Sequence, residues 1–134
     1  MIIRIATEDD LSFLEKNDRH IGLSEIKALI AQNRILLAEM DGVIVGWLRW
    51  SLFWDNTPFM NMLYFLEDYR GKGYGRQIVA HWENQMQQAG YDLVMTSSLS
   101  DEQAQHFYRK LGYVDSGSLL LPGEALEIIF TKRL

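Results

Sequence analysis

One stretch constrains this chain more than any other: Tyr69-Arg70-Gly71-Lys72-Gly73-Tyr74-Gly75-Arg76. Ahead of it, Phe59 to Leu66 is an apolar run of strand length. Behind it, Ile78, Val79, Trp82 and Met86 recur at helical spacing. The chain therefore passes from a buried strand, through glycines, directly into a helix. A helix N-terminus leaves backbone N–H groups unpaired and carries partial positive charge, so it favours an anion. Glycines let a phosphate approach that backbone closely, since no Cβ intervenes. Arg70, Lys72 and Arg76 add formal positive charge. The expected guest carries phosphate.

Spacing narrows the guest. A Walker loop needs Gly, four residues, then Gly-Lys and Ser or Thr, and no such run occurs. The dinucleotide fingerprint Gly-x-Gly-x-x-Gly also fails, because Gly71 and Gly73 are followed by Gly75 and position 76 is Arg. What remains is Arg70-x-x-Gly73-x-Gly75 between a strand and a helix. This resembles the acyl-CoA pyrophosphate loop of the GNAT acetyltransferase superfamily. The alternative is a glycine-rich turn with solvated basic side chains.

A second stretch, Gln105 to Tyr113, bears on that choice. From Asp101 and Ala104 through Tyr108, Lys110, Gly112 and Tyr113 it resembles the GNAT signature Asn-x-x-Ala-x-x-Leu-Tyr-x-Lys-x-Gly-Phe. The two motifs occur in the family's order.

Composition agrees with such a reading. A length of 134 residues with 48% hydrophobic and 23% charged residues suits one globular domain, expected over 1–134. With no cysteine, thiolate metal sites and a cysteine nucleophile are excluded, and the three histidines are too dispersed to suggest a metal cluster. The net charge of −5 argues against a nucleic-acid partner, whose affinity comes mainly from neutralising phosphates. The first residues are too acidic for a signal peptide, and no apolar run approaches the roughly 20 residues of a membrane span. A cytoplasmic location without membrane attachment is expected.

Taken in order, Ile2 to Ile5 reads as a strand. Thr7 with Asp10 marks a helix start that runs to about Asp18, and Ser24 is expected to cap a second helix. Ile35 to Met40 is a strand, Asp41-Gly42 a hairpin turn, and Val43 to Trp54 a long strand apolar on both faces. Such a strand is covered on both sides, which places helices above and below the sheet. After the glycine loop a helix runs to about Ala89 and Gly90 closes it. Tyr91 to Ser98 is a strand, and Ser100 or Asp101 is expected to cap a helix with Ala104, Phe107, Tyr108 and Leu111 on its apolar face. Tyr113 to Leu121 and Ala125 to Thr131 complete an α/β order, β-α-α-β-β-β-α-β-α-β-β. The resemblance implies a mixed, mostly antiparallel sheet of about seven strands, with the fourth and fifth splayed around acyl-CoA.

The resemblance further implies transfer of an acetyl group from acetyl-CoA to an amine by direct attack. It places Arg70, Gly71, Lys72, Gly73, Tyr74, Gly75 and Arg76 at the cofactor. A backbone N–H around Phe65 and Leu66 is to support the charge developing on the thioester oxygen. Tyr108 occupies the family's general-acid position beside the cofactor; its place on an apolar helix face also suits a core aromatic, and the two are compatible if the ring packs while the hydroxyl reaches the cleft. Asp101 stands where the family often has Asn, and a carboxylate cannot donate as an amide does. No glutamate marks a general base. The strand offers Asn61 and Tyr64, and neighbouring segments offer Glu15, Asp18, His20 and Asp55. His20, Trp54 and Asp55 are candidates for the acceptor pocket, although the aromatic stripe that includes Trp54 and Phe53 reads as core by default. The expected partner is a small-molecule or peptide amine, and the chain a monomer or homodimer. The competing readings are an acyl-CoA sensor without turnover and, less favoured by the spacings, a nucleotide-binding regulator. The sequence does not name the amine.

Overall fold

The computed structural model describes residues 1–134. Seven strands and four helices follow the expected order: β1 (Ile2–Ile5), α1 (Leu11–Asn17), α2 (Leu23–Ala31), β2 (Ile35–Met40), β3 (Val43–Phe53), β4 (Thr57–Phe65), α3 (Tyr74–Gln88), β5 (Leu93–Leu99), α4 (Ala104–Lys110), β6 (Val114–Leu119) and β7 (Glu127–Arg133). The strands form one sheet in the order β1-β2-β3-β4-β5-β7-β6. β1–β2, β2–β3, β5–β7 and β6–β7 pair antiparallel. β4 and β5 are parallel and share only two pairs, Phe59 with Met95 and Met60 with Thr96. The ladder ends there, although β4 continues to Phe65 and β5 to Leu99.

The residues group into two compact units. The first comprises 1–51 and 62–82, the second 52–61 and 83–134.

In the first unit, β3 is buried continuously from Val45 to Trp50, as a strand apolar on both faces requires. On one face, Leu14 of α1 and Ile26, Leu29 and Ile30 of α2 form a core with Ile35, Leu37 and Trp47. On the other, Trp50 packs against Trp82 of α3, ring centres 6.3 Å apart. Asp10 stands at the entry to α1, where its carboxylate accepts from the Thr7 N–H at 2.8 Å and from the Arg4 guanidinium at 2.8 Å on each oxygen. The expected cap of α2 moves: Gly22 precedes the helix and Ser24 lies within its first turn. The Asp41-Gly42 turn has φ of 51° and 78°, the two left-handed residues that a tight hairpin turn uses.

In the second unit, β7 lies between β5 and β6. Tyr108 of α4 packs on Phe107, Tyr113 and Phe130. Glu83 accepts from the Tyr113 hydroxyl at 2.8 Å and from the Lys132 ammonium at 2.9 Å. α4 begins later than expected, at Ala104 with Gln103 before it. Ser100 and Asp101 stay in the preceding turn, where the Ser100 carbonyl accepts from the Gln105 amide at 2.8 Å.

Candidate active site

The glycine loop lies wholly in the first unit. β4 ends at Phe65, and Glu67–Tyr69 forms a single 3-10 turn, with the Tyr69 N–H donating to Leu66 O at 2.9 Å. The backbone is extended at Arg70 (φ −85°, ψ 157°), then turns left-handed at Gly71 (φ 72°) and Gly73 (φ 85°) before α3 starts at Tyr74. Positive φ is what glycine permits without strain. At neither glycine would a Cβ meet any atom within 4 Å, so open space lies over the loop. The first intrahelical bond runs from Gln77 N–H to Gly73 O at 3.2 Å. The N–H groups of the preceding helical residues therefore lack helical acceptors. Left-handed glycines, open space and a helix N-terminus fit a pyrophosphate group.

The basic side chains divide their roles. Arg70 turns back onto β4: its Nε donates to Phe65 O at 2.7 Å and its guanidinium lies 4.9 Å from the centre of the Tyr64 ring. It braces the strand end rather than the loop. Lys72 lies 5.9 Å from the Tyr69 ring centre, and Arg76 is exposed. The Phe65 ring is set by Gly46, where an added Cβ would approach it to 2.5 Å, and it stands 6.3 Å from the Tyr74 ring. Of the two residues expected to supply a donor, Leu66 is already engaged, because its N–H donates to Val45 O at 2.9 Å.

Beside this strand end is a cavity of about 360 Å³. Lys16 from the last turn of α1, and Arg19 and His20 from the segment between α1 and α2, line it together with Trp47, Met62 and Tyr64. Met62 and Tyr64 share one face of β4 by the two-residue period, and the Tyr64 and Trp47 rings stand 4.8 Å apart. Asp18 also lines the cavity, but its side chain is 1% exposed and engaged. It accepts from Arg49 Nε at 2.7 Å, from Trp47 Nε1 at 3.2 Å and from the His20 N–H at 3.3 Å. A carboxylate so occupied is not an available base, which removes Asp18 from the candidates. A larger hollow of about 750 Å³, between Ala6, Leu11, Lys27 and Ile30, includes no residue of the glycine loop or of β4.

The other expected residues lie elsewhere. Trp54 and Asp55 do not line the cavity at His20; with φ of 54° and 63° they form the β3–β4 turn, which leaves Trp54 80% exposed. Asn61 is exposed on β4, one residue beyond the last pair with β5. Asp101 is exposed in the turn before α4. Tyr108, in the second unit, is 7% exposed. Burial pushes its hydroxyl up to about 12, with Thr96 acting against the rise and the Glu102 charge adding to it. His106 and Lys110 are exposed, as their helix face implies. No three His, Asp or Glu side chains cluster as metal ligands, and no helix is long and apolar enough to cross a membrane.

Comparison with known proteins decides the family. The model of the Acetyltransferase (GNAT) family matches residues 3–113, which include β1 through α4 and both motifs. The chain belongs to the GNAT family. Among solved structures, a GNAT acetyltransferase from Bacillus cereus is 22% identical, with a TM-score of 0.79 over 98% of this chain and 96% of that one. A ribosomal-protein-alanine N-acetyltransferase from Brucella melitensis is 20% identical, with a TM-score of 0.81 over the full length of both chains. The acetyltransferase yncA from Salmonella typhimurium, solved with acetyl-CoA, is 17% identical, with a TM-score of 0.78 over 99% and 93%. Identities this low establish a shared fold. Comparison with curated proteins gave no match.

The cavity residues Trp47, Met62 and Tyr64 were not singled out from the sequence as pocket residues. The alternation of Met62 and Tyr64 on β4 is the signal that places them on one face. The Asp18–Arg49 pair has no such signal.

Proposed function

We propose that this GNAT protein is an N-acetyltransferase that moves an acetyl group from acetyl-CoA to a primary amine by direct attack. One observation carries the reading: left-handed Gly71 and Gly73, beneath open space at the start of α3, adjoin through Arg70 the Tyr64 wall of a cavity.

Acetyl-CoA supplies the activated thioester; the chain's residues hold, orient and protonate. The N–H groups of 71–76 take the pyrophosphate, and Lys72 and Arg76 add charge. With Leu66 N–H engaged, the Phe65 N–H is the donor assigned to the thioester oxygen. Its position is held by the Arg70 bond to its carbonyl and by the Gly46 contact to its ring. The amine reaches the carbonyl from the Lys16–His20 cavity and must arrive neutral, because an alkylammonium with a reference pKa near ~10 has no lone pair to attack with.

Tyr108 is assigned to the departing sulfur. At about 12 its hydroxyl stays protonated throughout the neutral range. Full transfer to a thiolate of about 8.5 would be uphill by roughly 5 kcal/mol on those values, so the hydroxyl stabilises the sulfur first by donating a hydrogen bond. The test is release of free thiol from acetyl-CoA with an amine panel, for the native chain and Tyr108→Phe. The expectation is turnover by the native chain, falling about 100-fold in kcat in the variant with its fold retained. Equal rates would remove Tyr108 from the reaction.

A second reading, an acyl-CoA-binding module without turnover, is favoured by the engagement of Asp18, which leaves the cavity without an available carboxylate base. Saturable acetyl-CoA binding with no thiol release across the panel would select it.

A further inference from the structure

The charge lining the acceptor cavity has a sign. Lys16, Arg19 and His20 face it, and neither Lys16 nor Arg19 has a carboxylate within ion-pair distance. Asp18, the one acid in the lining, has both oxygens bound by Arg49, with Trp47 and His20 N–H groups sharing them. A further cation, Arg70, already lies against the Tyr64 ring. The exposed edge of the cavity is cationic on a chain whose net charge is −5.

Such a lining does two things. It disfavours a second ammonium, so polyamines and lysine side chains are poor occupants. It also favours the neutral form of a bound amine, since nearby like charges lower an ammonium pKa. That effect eases deprotonation in a cavity whose one carboxylate is engaged, with water taking the proton. An incoming amine then needs an anion of its own to be held among Lys16 and Arg19. The volume of about 360 Å³ is near the lower end of small-molecule sites and admits something of amino-acid size, with Trp47, Met62 and Tyr64 offering apolar contact.

We infer that the acceptor is a small amine carrying its own carboxylate, of free amino-acid size, held through Lys16 and Arg19. This rests on the acetyl-transfer reading above. In the step, the amine nitrogen forms a bond to the acetyl carbon, the carbon–sulfur bond breaks, and the nitrogen's surplus proton leaves to water as the thiolate departs.

The experiment measures thiol release with acetyl-CoA for the twenty free amino acids, their carboxamides, spermidine, and short peptides with acidic N-terminal sequences. Each assay uses the native chain and the double variant Lys16→Glu/Arg19→Glu. A thermal shift with acetyl-CoA alone is recorded in parallel. The expected result is at least one amino acid turned over with kcat/KM tenfold or more above its carboxamide. The double variant should lose that preference while keeping the native acetyl-CoA shift. Carboxamides, spermidine or acidic peptides outrunning the free amino acids would overturn the inference, as would a carboxylate preference unchanged in the variant. Acetyl-CoA binding without turnover of any carboxylate amine would overturn it and leave the cofactor site standing. Absence of an acetyl-CoA shift in the native chain would instead sink the acetyl-transfer reading, and the inference with it.

Discussion

Replacing Gly73 with alanine separates the loop's backbone role from its ligand role. Gly73 has φ of 85°, so any L side chain there adopts a left-handed conformation costing about 1–2 kcal/mol. An added Cβ meets nothing within 4 Å, so no steric term is added and the variant folds. With an unfolding entropy of about 2.1 cal/mol/K per residue, that strain lowers Tm by roughly 4–7 °C. Acetyl-CoA at about a hundred times its Kd should raise the native Tm by roughly 10 °C, from about 2.7 kcal/mol of binding. In Gly73→Ala the methyl group projects into the space assigned to phosphate, and the ligand shift should largely vanish. Gly90→Ala is the matched control. It too is left-handed (φ 96°) with nothing near its Cβ, but it sits past the end of α3. It should lose a similar Tm and keep the full ligand shift. Differential scanning fluorimetry of the three proteins, each with and without acetyl-CoA, gives the comparison. An undiminished ligand shift in Gly73→Ala would refute the assignment of phosphate to the loop. Equal loss of the shift in both variants would show that strain alone, wherever placed, accounts for it.

Three further substitutions probe the frame around the site. Asp18→Asn leaves the Arg49 guanidinium buried without its counter-charge, at 8% side-chain exposure, and should destabilise by about 3–5 kcal/mol in urea unfolding; replacing both by apolar residues should recover much of that. Gly46→Ala drives a methyl group to 2.5 Å from the Phe65 ring, which should cost about 1–3 kcal/mol. Because the ring belongs to the residue assigned as thioester donor, acetyl transfer should fall by more than the stability change explains, as kcat measured well below Tm would reveal. Asp10 is held below its ordinary value, chiefly by the Arg4 hydrogen bonds. Its stabilisation is therefore complete above the unfolded value near ~3.9 and is lost as pH falls through the lower folded value. The stability gap between the native chain and Asp10→Asn should be widest near pH 7 and narrow below about pH 4 in acid unfolding curves.

What could be read from one dimension was the local part. Helical spacing on α3 and α4, alternation and apolar runs on the strands, and turn residues at Asp41-Gly42 all act over a few neighbouring positions, so the order of elements followed from them. The strand–loop–helix unit around the glycines was legible for the same reason, since strand, left-handed glycines and helix start occupy one continuous stretch. Caps were less legible. Ser24 and Ser100 are good capping residues, yet α2 starts after Gly22 and α4 after Gln103.

The tertiary structure alone decided the chemistry beside the loop. Asp18 reads as an acid near the acceptor, but it is bound to residues 29 and 31 positions away on β3 and so is not available as a base. Gly46 carries no motif and matters only because the Phe65 ring crosses it. Leu66 N–H is engaged because Val45 O lies opposite, which is why the proposal turns to Phe65. Lys16 and Arg19 become the cationic wall of a cavity, with His20 beside them, only when α1 packs over β3 and β4. Short-range periodicity encodes which element forms; which side chains share a cavity, and which charges cancel, depends on contacts between elements far apart in the chain.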